Sequence, residues 1–152
     1  MMFSMSTSGR KRAARELMRE DGFTLIELLV VLIIIGILAA IAIATFTGQQ
    51  NKAHDAEAKA AARTAQLAME TYFVDHKSYS GATVAELESV QPALTDAPSL
   101  AIQLVTSNQY QLSTSSTSTN SVTFSVIRSA NGTITRSCTP ANTGGCKAGG
   151  VW

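Results

Sequence analysis

The chain has 152 residues, two cysteines and a formal net charge of +1, a length that suits one globular domain with appendages. A charge so close to zero gives no broad basic surface for phosphates, so no direct nucleic-acid site is expected. No glycine-rich phosphate loop follows a strand, and no cysteine and histidine cluster has metal spacing. The sequence therefore predicts no enzyme, no metal site and no cofactor.

Residues 1–22 form a basic leader. They carry five basic and three acidic residues, whereas the rest of the chain carries seven basic and eight acidic residues. Cytoplasmic flanks of membrane segments are enriched in positive charge. The leader is therefore predicted to stay in the cytoplasm, while the C-terminal body crosses the membrane.

The apolar segment comes next. Residues 28–44 read LLVVLIIIGILAAIAIA without one polar side chain, and apolar residues extend the run from residue 23 to residue 46. As a helix this stretch spans roughly 35 Å, enough to cross a hydrocarbon core of about 30 Å. A secretory signal peptide is the competing interpretation, but its apolar core is only about 7–15 residues long. Cleavage after the run is therefore not expected.

Glu27 places a carboxylate inside this apolar helix. A charge at the centre of a membrane helix costs about 2.5–3.5 kcal/mol, so such an acid usually has a partner or a function. Near the end of the span, the side chain can also lower this cost by reaching toward the interface. Both interpretations stay open on the residues alone.

The run GFTLIELLVV, which contains Gly22, Phe23 and Glu27, resembles the class III signal of type IV prepilins and of the pseudopilins of type II secretion. The resemblance implies that a prepilin peptidase cuts between Gly22 and Phe23 and methylates the new amino terminus on Phe23. It also implies that Glu27 serves assembly, by meeting the new amine of its own chain or of a neighbour. Two departures are Asp21, where many relatives have a basic residue, and Ala44, where many have a proline.

The same resemblance implies a domain organisation and a set of partners. Residues 1–22 are the leader, residues 23–52 the transmembrane and filament-core half of a long helix, and residues 53–152 a globular head. The expected partners are further copies in a helical filament, the prepilin peptidase, an inner-membrane assembly platform and membrane lipid. The expected location is the cytoplasmic membrane for the single-pass precursor, and then an extracellular pilus filament.

An alanine-rich segment with few helix breakers follows, between residues 48 and 80. One long helix is predicted to run from the membrane into the head. Two apolar stripes recur at helical spacing: Ala53, Ala56, Ala60, Leu67 and Val74, and beside them Ala61, Ala65, Ala68, Met69, Tyr72 and Phe73. We expect Met69, Tyr72 and Phe73 to pack on a sheet. We expect four charged residues to face water or neighbouring subunits: Lys52, Asp55, Lys59 and Arg63.

The remaining sequence predicts a short helix and an antiparallel sheet. Thr83 and Glu86 have capping-box spacing, and the helix they introduce should end before Pro92. Four segments have strand character, residues 100–106, 109–113, 122–128 and 133–138, and the Asn131-Gly132 pair predicts a hairpin turn. The serine- and threonine-rich residues 113–121 are expected to form a flexible exposed loop. The predicted fold class is α+β, with a long N-terminal hydrophobic α-helix packed on a C-terminal antiparallel β-sheet.

Cys138 and Cys146 lie close together near the C-terminus among Gly, Thr, Pro and Asn. This placement suits a small disulfide loop, which requires an oxidising compartment. Two unpaired thiols in a cytosolic protein are the alternative. Translocation of the body across a membrane favours the disulfide.

Three functions remain from the sequence. The first is a structural subunit of a type IV pilus that serves adhesion, motility or DNA uptake, and the C-terminal cysteine pair resembles that of pilins with a stapled final loop. The second is a type II secretion pseudopilin, which the stretch from Tyr72 to Tyr79 loosely resembles. The third is a single-pass membrane-anchored binding module that does not polymerise. Enzymatic function has no support, because no motif places a nucleophile beside a base.

Overall fold

The structure is a computed structural model, and it describes residues 22–152. Residues 1–21, with nearly all of the predicted leader, lie outside this described part. The described elements are helix α1 (Leu25–His76), helix α2 (Val84–Val90), a 3₁₀ turn (Pro92–Leu94) and strands β1 (Ala101–Val105), β2 (Tyr110–Ser115), β3 (Thr123–Arg128) and β4 (Ile134–Thr139).

Helix α1 is 52 residues long. Its first part consists of aliphatic residues and its second part is rich in alanine, the residue with the highest helix propensity. The helix passes through position 44 without a break. It ends where Lys77 takes a positive φ of 56° and donates its backbone N–H to the Phe73 carbonyl at 2.8 Å, a helix end closed by a left-handed residue.

The contacts of the chain divide it into two compact units at Ala42 and Ile43. In the first unit, the large apolar side chains from Phe23 onward are exposed, including Leu25, Ile33 and Leu38. Among the described residues, α1 is the one helix long and apolar enough to cross a membrane. The functional boundary drawn between residues 52 and 53 remains a prediction.

The second unit contains a four-stranded antiparallel sheet in the order β1-β2-β3-β4. The hairpin between β3 and β4 turns where the sequence predicts, because Gly132 takes a positive φ of 84° and donates its N–H to the Ser129 carbonyl at 2.9 Å. Helix α2 begins at the predicted cap, where Thr83 Oγ1 accepts the Glu86 N–H at 3.2 Å. The predicted α+β fold is confirmed.

One face of α1 packs against the sheet. The main core joins Ala65, Met69 and Tyr72 of the helix to Leu112 and Val126 of the strands. A second cluster surrounds Phe124: Ala58, Val122, Cys138 and Cys146. The predicted packing of Met69 and Tyr72 is confirmed, and Phe73 lies partly buried at the edge of the same core.

The prediction of an exposed loop at residues 113–121 holds only for Thr117 and residues 119–121, which are exposed and lie outside the strands. Ser113 and Thr114 belong to β2 and are buried, as are Ser116 and Ser118 in the segment that follows. Their hydroxyl groups make burial possible because they find partners: Thr114 Oγ1 donates to the Ala58 carbonyl at 2.8 Å. The polar composition therefore reflects hydrogen bonds to α1 rather than solvation.

Candidate processing and assembly sites

The segment before α1 is not helical. Gly22, Phe23 and Thr24 precede the first helical residue, and Phe23 is 81% exposed. Thr24 acts as the N-cap, since its Oγ1 accepts the Glu27 N–H at 3.2 Å and its carbonyl accepts the Leu28 N–H at 3.2 Å. Because the cap fixes the helix start after Phe23, the Gly22–Phe23 peptide bond lies in exposed, non-helical chain, where a peptidase gains access most readily.

Gly22 is not required by the described structure. A Cβ atom added there would meet nothing within 4 Å, and its backbone has no left-handed φ. Larger side chains would fit without strain. The described structure therefore gives no steric or conformational reason for a glycine at this position.

Glu27 lies in the first turn of α1 and is exposed. A carboxylate at a helix N-terminus is favoured by the helix dipole. Within residues 22–152, no basic side chain forms an ion pair with it.

The disulfide loop lies at the opposite end of the chain. Cys138 and Cys146 form a disulfide, which is the predicted pairing. The loop is fastened to α1 by two hydrogen bonds: Gly145 N–H donates to Asp55 Oδ2 at 2.7 Å, and Lys59 Nζ donates to the Gly145 carbonyl at 2.6 Å. A Cβ at Gly144 would lie 2.5 Å from Asp55 Oδ2, so this close approach requires glycine.

The expectation that Asp55 and Lys59 face water is therefore wrong. Asp55 is only 3% exposed, and its Oδ1 also accepts a hydrogen bond from Ser118 Oγ at 2.8 Å. Lys59 Nζ lies 5.0 Å from the centre of the Phe124 ring. The donors come from two segments distant in sequence, which explains why local periodicity missed them. Lys52 and Arg63 are exposed, as predicted.

Trp152 fastens β3 and β4 together, a role that sequence reasoning missed. Its indole Nε1 donates to the Ser137 carbonyl at 2.8 Å and lies 3.3 Å from the Ser125 carbonyl. The guanidinium groups of Arg63 and Arg136 lie over the ring, at 5.5 and 5.7 Å from its centre. A lone tryptophan beyond the last strand carries no periodic signal that would have revealed these contacts.

Glu70 forms a second polar cluster that the sequence did not reveal. Its carboxylate accepts hydrogen bonds from the hydroxyls of Tyr79 and Tyr110, both at 2.9 Å, and from Arg128 at 3.3 Å. Burial, followed by the bond to Glu70, raises the pKa of Tyr79 to about 12. The same two causes raise the pKa of Tyr110 still further. Both rings stay neutral and apolar at ordinary pH.

In the described part of the chain, no group of three or more His, Cys, Asp and Glu side chains could hold a metal ion. His54 Nδ1 lies 3.6 Å from Glu57 Oε2, and the His76 ring stacks on the Tyr72 ring with ring centres 4.0 Å apart. The two histidines thus have ordinary structural neighbours.

Comparisons with known proteins match the segment that contains the start of α1. Residues 17–43 match the family described as the prokaryotic N-terminal methylation motif. The chain is 44% identical over 69 residues to the type IV major pilin protein PilA of Myxococcus xanthus. It is 37% identical over 62 residues to a fimbrial protein of Neisseria meningitidis and 34% identical over 61 residues to the type II secretion system core protein G of Aeromonas hydrophila.

These similarities are partial. The matched stretches cover 45, 41 and 40% of this chain, and 31, 36 and 43% of the three relatives in the same order. The chain thus spans well under half the length of the curated relatives it matches. No solved structure matches it.

Proposed function

We propose that this chain, a protein of the type IV pilin and pseudopilin family, is a structural subunit of a type IV pilus. It enters the cytoplasmic membrane as a single-pass precursor and later polymerises into a surface filament for adhesion, motility or DNA uptake. One observation carries this proposal: a methylation motif at residues 17–43 coincides with an exposed, non-helical Gly22–Phe23 bond and an exposed apolar helix directly behind it.

Processing is the first proposed step. Prepilin peptidase hydrolyses the bond between Gly22 and Phe23, and the new amine on Phe23 is then methylated. The N-cap at Thr24 keeps the bond outside the helix, so cleavage does not require α1 to unwind. Because added atoms at Gly22 would meet no neighbour in the described structure, the proposal assigns this glycine to recognition by the peptidase.

Assembly is the second proposed step. Cleavage leaves a cationic amine on Phe23 beside apolar helices, where an uncompensated charge is costly. Glu27, exposed and without an ion pair among the described residues, supplies the matching carboxylate within its own chain or to a neighbouring copy. When the apolar helix moves from lipid into a bundle of helices, the hydrophobic effect contributes little, because lipid is already apolar. Helix packing and this charge pair must therefore provide the driving force and the axial register, with lipid and an inner-membrane assembly platform as the other partners.

A type II secretion pseudopilin is the second candidate. The similarity to core protein G supports it, because the matched region covers 43% of that relative. The higher identity to a major pilin, 44%, and the stapled C-terminal loop favour the pilus subunit. The two candidates share processing and differ in where the filament forms.

Shearing of surface filaments from cells that produce the chain, followed by peptide mapping, separates the candidates. A pilus subunit is recovered in the sheared fraction, with the Cys138–Cys146 peptide among its products. A pseudopilin stays with the cell envelope. Recovery of only unassembled membrane protein under all conditions would favour the non-polymerising binding module and would contradict both filament proposals.

Two substitutions sharpen this experiment. Gly22→Val is expected to leave the precursor uncut without disturbing the described fold, since the site is open. Glu27→Gln is expected to be cut normally but to lower filament yield about tenfold or more, because a buried amine loses its anion. Glu88→Gln, which removes a carboxylate from α2, serves as the matched control and should assemble normally.

A further inference from the structure

The part of α1 between Asn51 and His76 has an exposed apolar face that the head does not use. This outer stripe consists of Ala53, Ala56, Ala60, Leu67 and Val74, and Leu67 and Val74 are 61 and 62% exposed. At about 100° per residue, it lies on the opposite side of the helix from the buried face that includes Ala58, Ala62 and Met69. The stripe is therefore available to another molecule.

Two grooves flank the outer stripe, and they carry opposite charges. The basic groove is lined by Lys52, Asp55, Ala56, Lys59, Gly144 and Gly145. The acidic groove includes Glu57, Ala60, Thr64, Asp96, Ala97 and Pro98. Their volumes are about 220 and 210 Å³, below the roughly 300–1,000 Å³ typical of small-molecule sites. Their size suits single side chains of a macromolecular partner.

The charged side chains of the two grooves differ in whether they already have a hydrogen-bond or ion-pair partner in the same chain. In the basic groove, Asp55 is satisfied by hydrogen bonds from Ser118 and Gly145, and Lys59 is bound to the Gly145 carbonyl. Lys52 is exposed, and the side chains of Lys52 and Asp96 form no ion pair with any residue between 22 and 152. The basic groove thus offers Lys52, and the acidic groove offers Asp96 together with Glu57, whose Oε2 already lies 3.6 Å from His54 Nδ1.

We propose that the outer stripe and its two grooves form the contact between the heads of successive copies of this chain, with the basic groove of one copy facing the acidic groove of the next. The charges of the two grooves favour a second copy as the occupant. One chain carries a basic groove and an acidic groove on either side of the outer stripe, so each groove of one copy can meet the opposite charge of the next copy. A polyanion would be repelled by the acidic groove, and a basic peptide would be repelled by the basic groove.

The contact joins two different surface patches, so it is heterologous, and repetition of such a contact builds an open helical array rather than a closed dimer. The alanines of the stripe allow two backbones to approach closely, while Leu67 and Val74 provide apolar area to bury. This inference rests on the proposed polymerisation, and it adds a residue-level account of how the heads select their register.

Charge reversal tests the contact through filament yield. Lys52→Glu and Asp96→Lys are each expected to lower the yield roughly tenfold, since like charges then face each other. The double variant restores opposite signs and should recover most of the yield. Both positions are exposed, so folding should be unaffected, as circular dichroism checks. Lys147→Glu and Asp75→Lys make the same charge changes at other exposed positions and should assemble normally. Equal yields from all variants would overturn the proposed contact.

A second measurement does not depend on filaments. A zero-length carbodiimide joins an amine to a carboxylate that touches it, so membranes containing isotopically light and heavy copies can be treated and digested. We expect mixed-isotope peptides that link Lys52 to Asp96 or Glu57. If filaments form but these peptides are absent, the head contact is wrong while the pilus proposal stands. If the peptides appear but no filament forms, the contact stands and the pilus proposal fails.

Discussion

Two parts of the same helix differ in how far their apolar side chains are covered by the rest of the chain. Along residues 25–42 of α1, the large aliphatic side chains are exposed, and Ile34 is typical at 52%. Along residues 55–76, one face is buried completely against strands of the same chain, as at Ala65 and Met69. The second part is covered by strands of the same chain, whereas we propose lipid and other copies as the partners of the first.

The acidic residues follow the same division. Asp55 and Glu70 accept hydrogen bonds from side chains and backbone of the head. Glu27 has no such partner in the described part of the chain. The carboxylates of the second part thus help to hold the head together, and we propose the unmatched carboxylate of Glu27 for assembly.

Truncation of one large apolar side chain in each part should distinguish the two parts most strongly. Met69→Ala removes a fully buried side chain of the second part and should lower the free energy of unfolding of the head by about 2–5 kcal/mol. Ile34→Ala should change it by less than about 0.5 kcal/mol, as an exposed substitution does. Denaturant titration of the detergent-solubilised chain measures both. Similar losses from the two variants would show that the parts are not independent.

A charge in the first part should affect insertion without affecting the head. Ile34→Arg places a cation inside the apolar segment and should disfavour membrane insertion by about 2.5–3.5 kcal/mol, roughly a hundredfold. Leu67→Arg puts the same charge at an exposed position of the second part and should insert normally. The ratio of membrane-bound to soluble chain is the measurement, and normal insertion of Ile34→Arg would count against the assigned membrane segment.

Removal of one carboxylate from each part gives a smaller effect. Asp55→Ala leaves the Ser118 hydroxyl and the Gly145 N–H without their acceptor, and should cost the head about 1–3 kcal/mol. Glu27→Ala should leave the unfolding of the head unchanged. Hydrogen exchange at residues 144–146 provides a local readout, since release of the disulfide loop should accelerate it in the Asp55 variant alone.

The smallest expected effect is a dependence on alkaline pH confined to the head. The pKa of Tyr79 is raised to about 12, so the folded state holds its proton after the unfolded state begins to lose it near pH 10. Stability from this group is fully present below about pH 10 and falls as the pH rises toward 12. The combined variant Tyr79→Phe/Tyr110→Phe should flatten this slope. An unchanged slope would mean that other groups cause the alkaline loss.

The sequence predicted the long helix, the antiparallel sheet and the hairpin at Asn131-Gly132, because these depend on local periodicity, caps and turn residues. The motif at the start of α1 could also be recognised from the sequence, because Gly22, Phe23 and Glu27 lie close together in one short segment. The disulfide followed from the placement of two cysteines in a small loop.

The hydrogen-bond partners within the head could not be predicted in the same way. The sequence around Asp55 is typical of a solvent-exposed helix position. Its hydrogen-bond donors, however, are Ser118 and Gly145, which are more than sixty residues away. Composition likewise predicts exposure for Ser116 and Ser118, which are buried, because it records polarity but not whether a hydrogen-bond partner is present. Trp152 likewise depends on carbonyls of two strands, which only the folded sheet brings together.

Intact mass and the N-terminal peptide of the chain, purified from membranes and from any sheared fraction, decide whether residues 1–22 are removed. We expect a mature chain that begins at N-methylated Phe23, with the apolar part of α1 retained. A mature chain that still carries residues 1–22, or one cut after the apolar segment, would contradict this expectation.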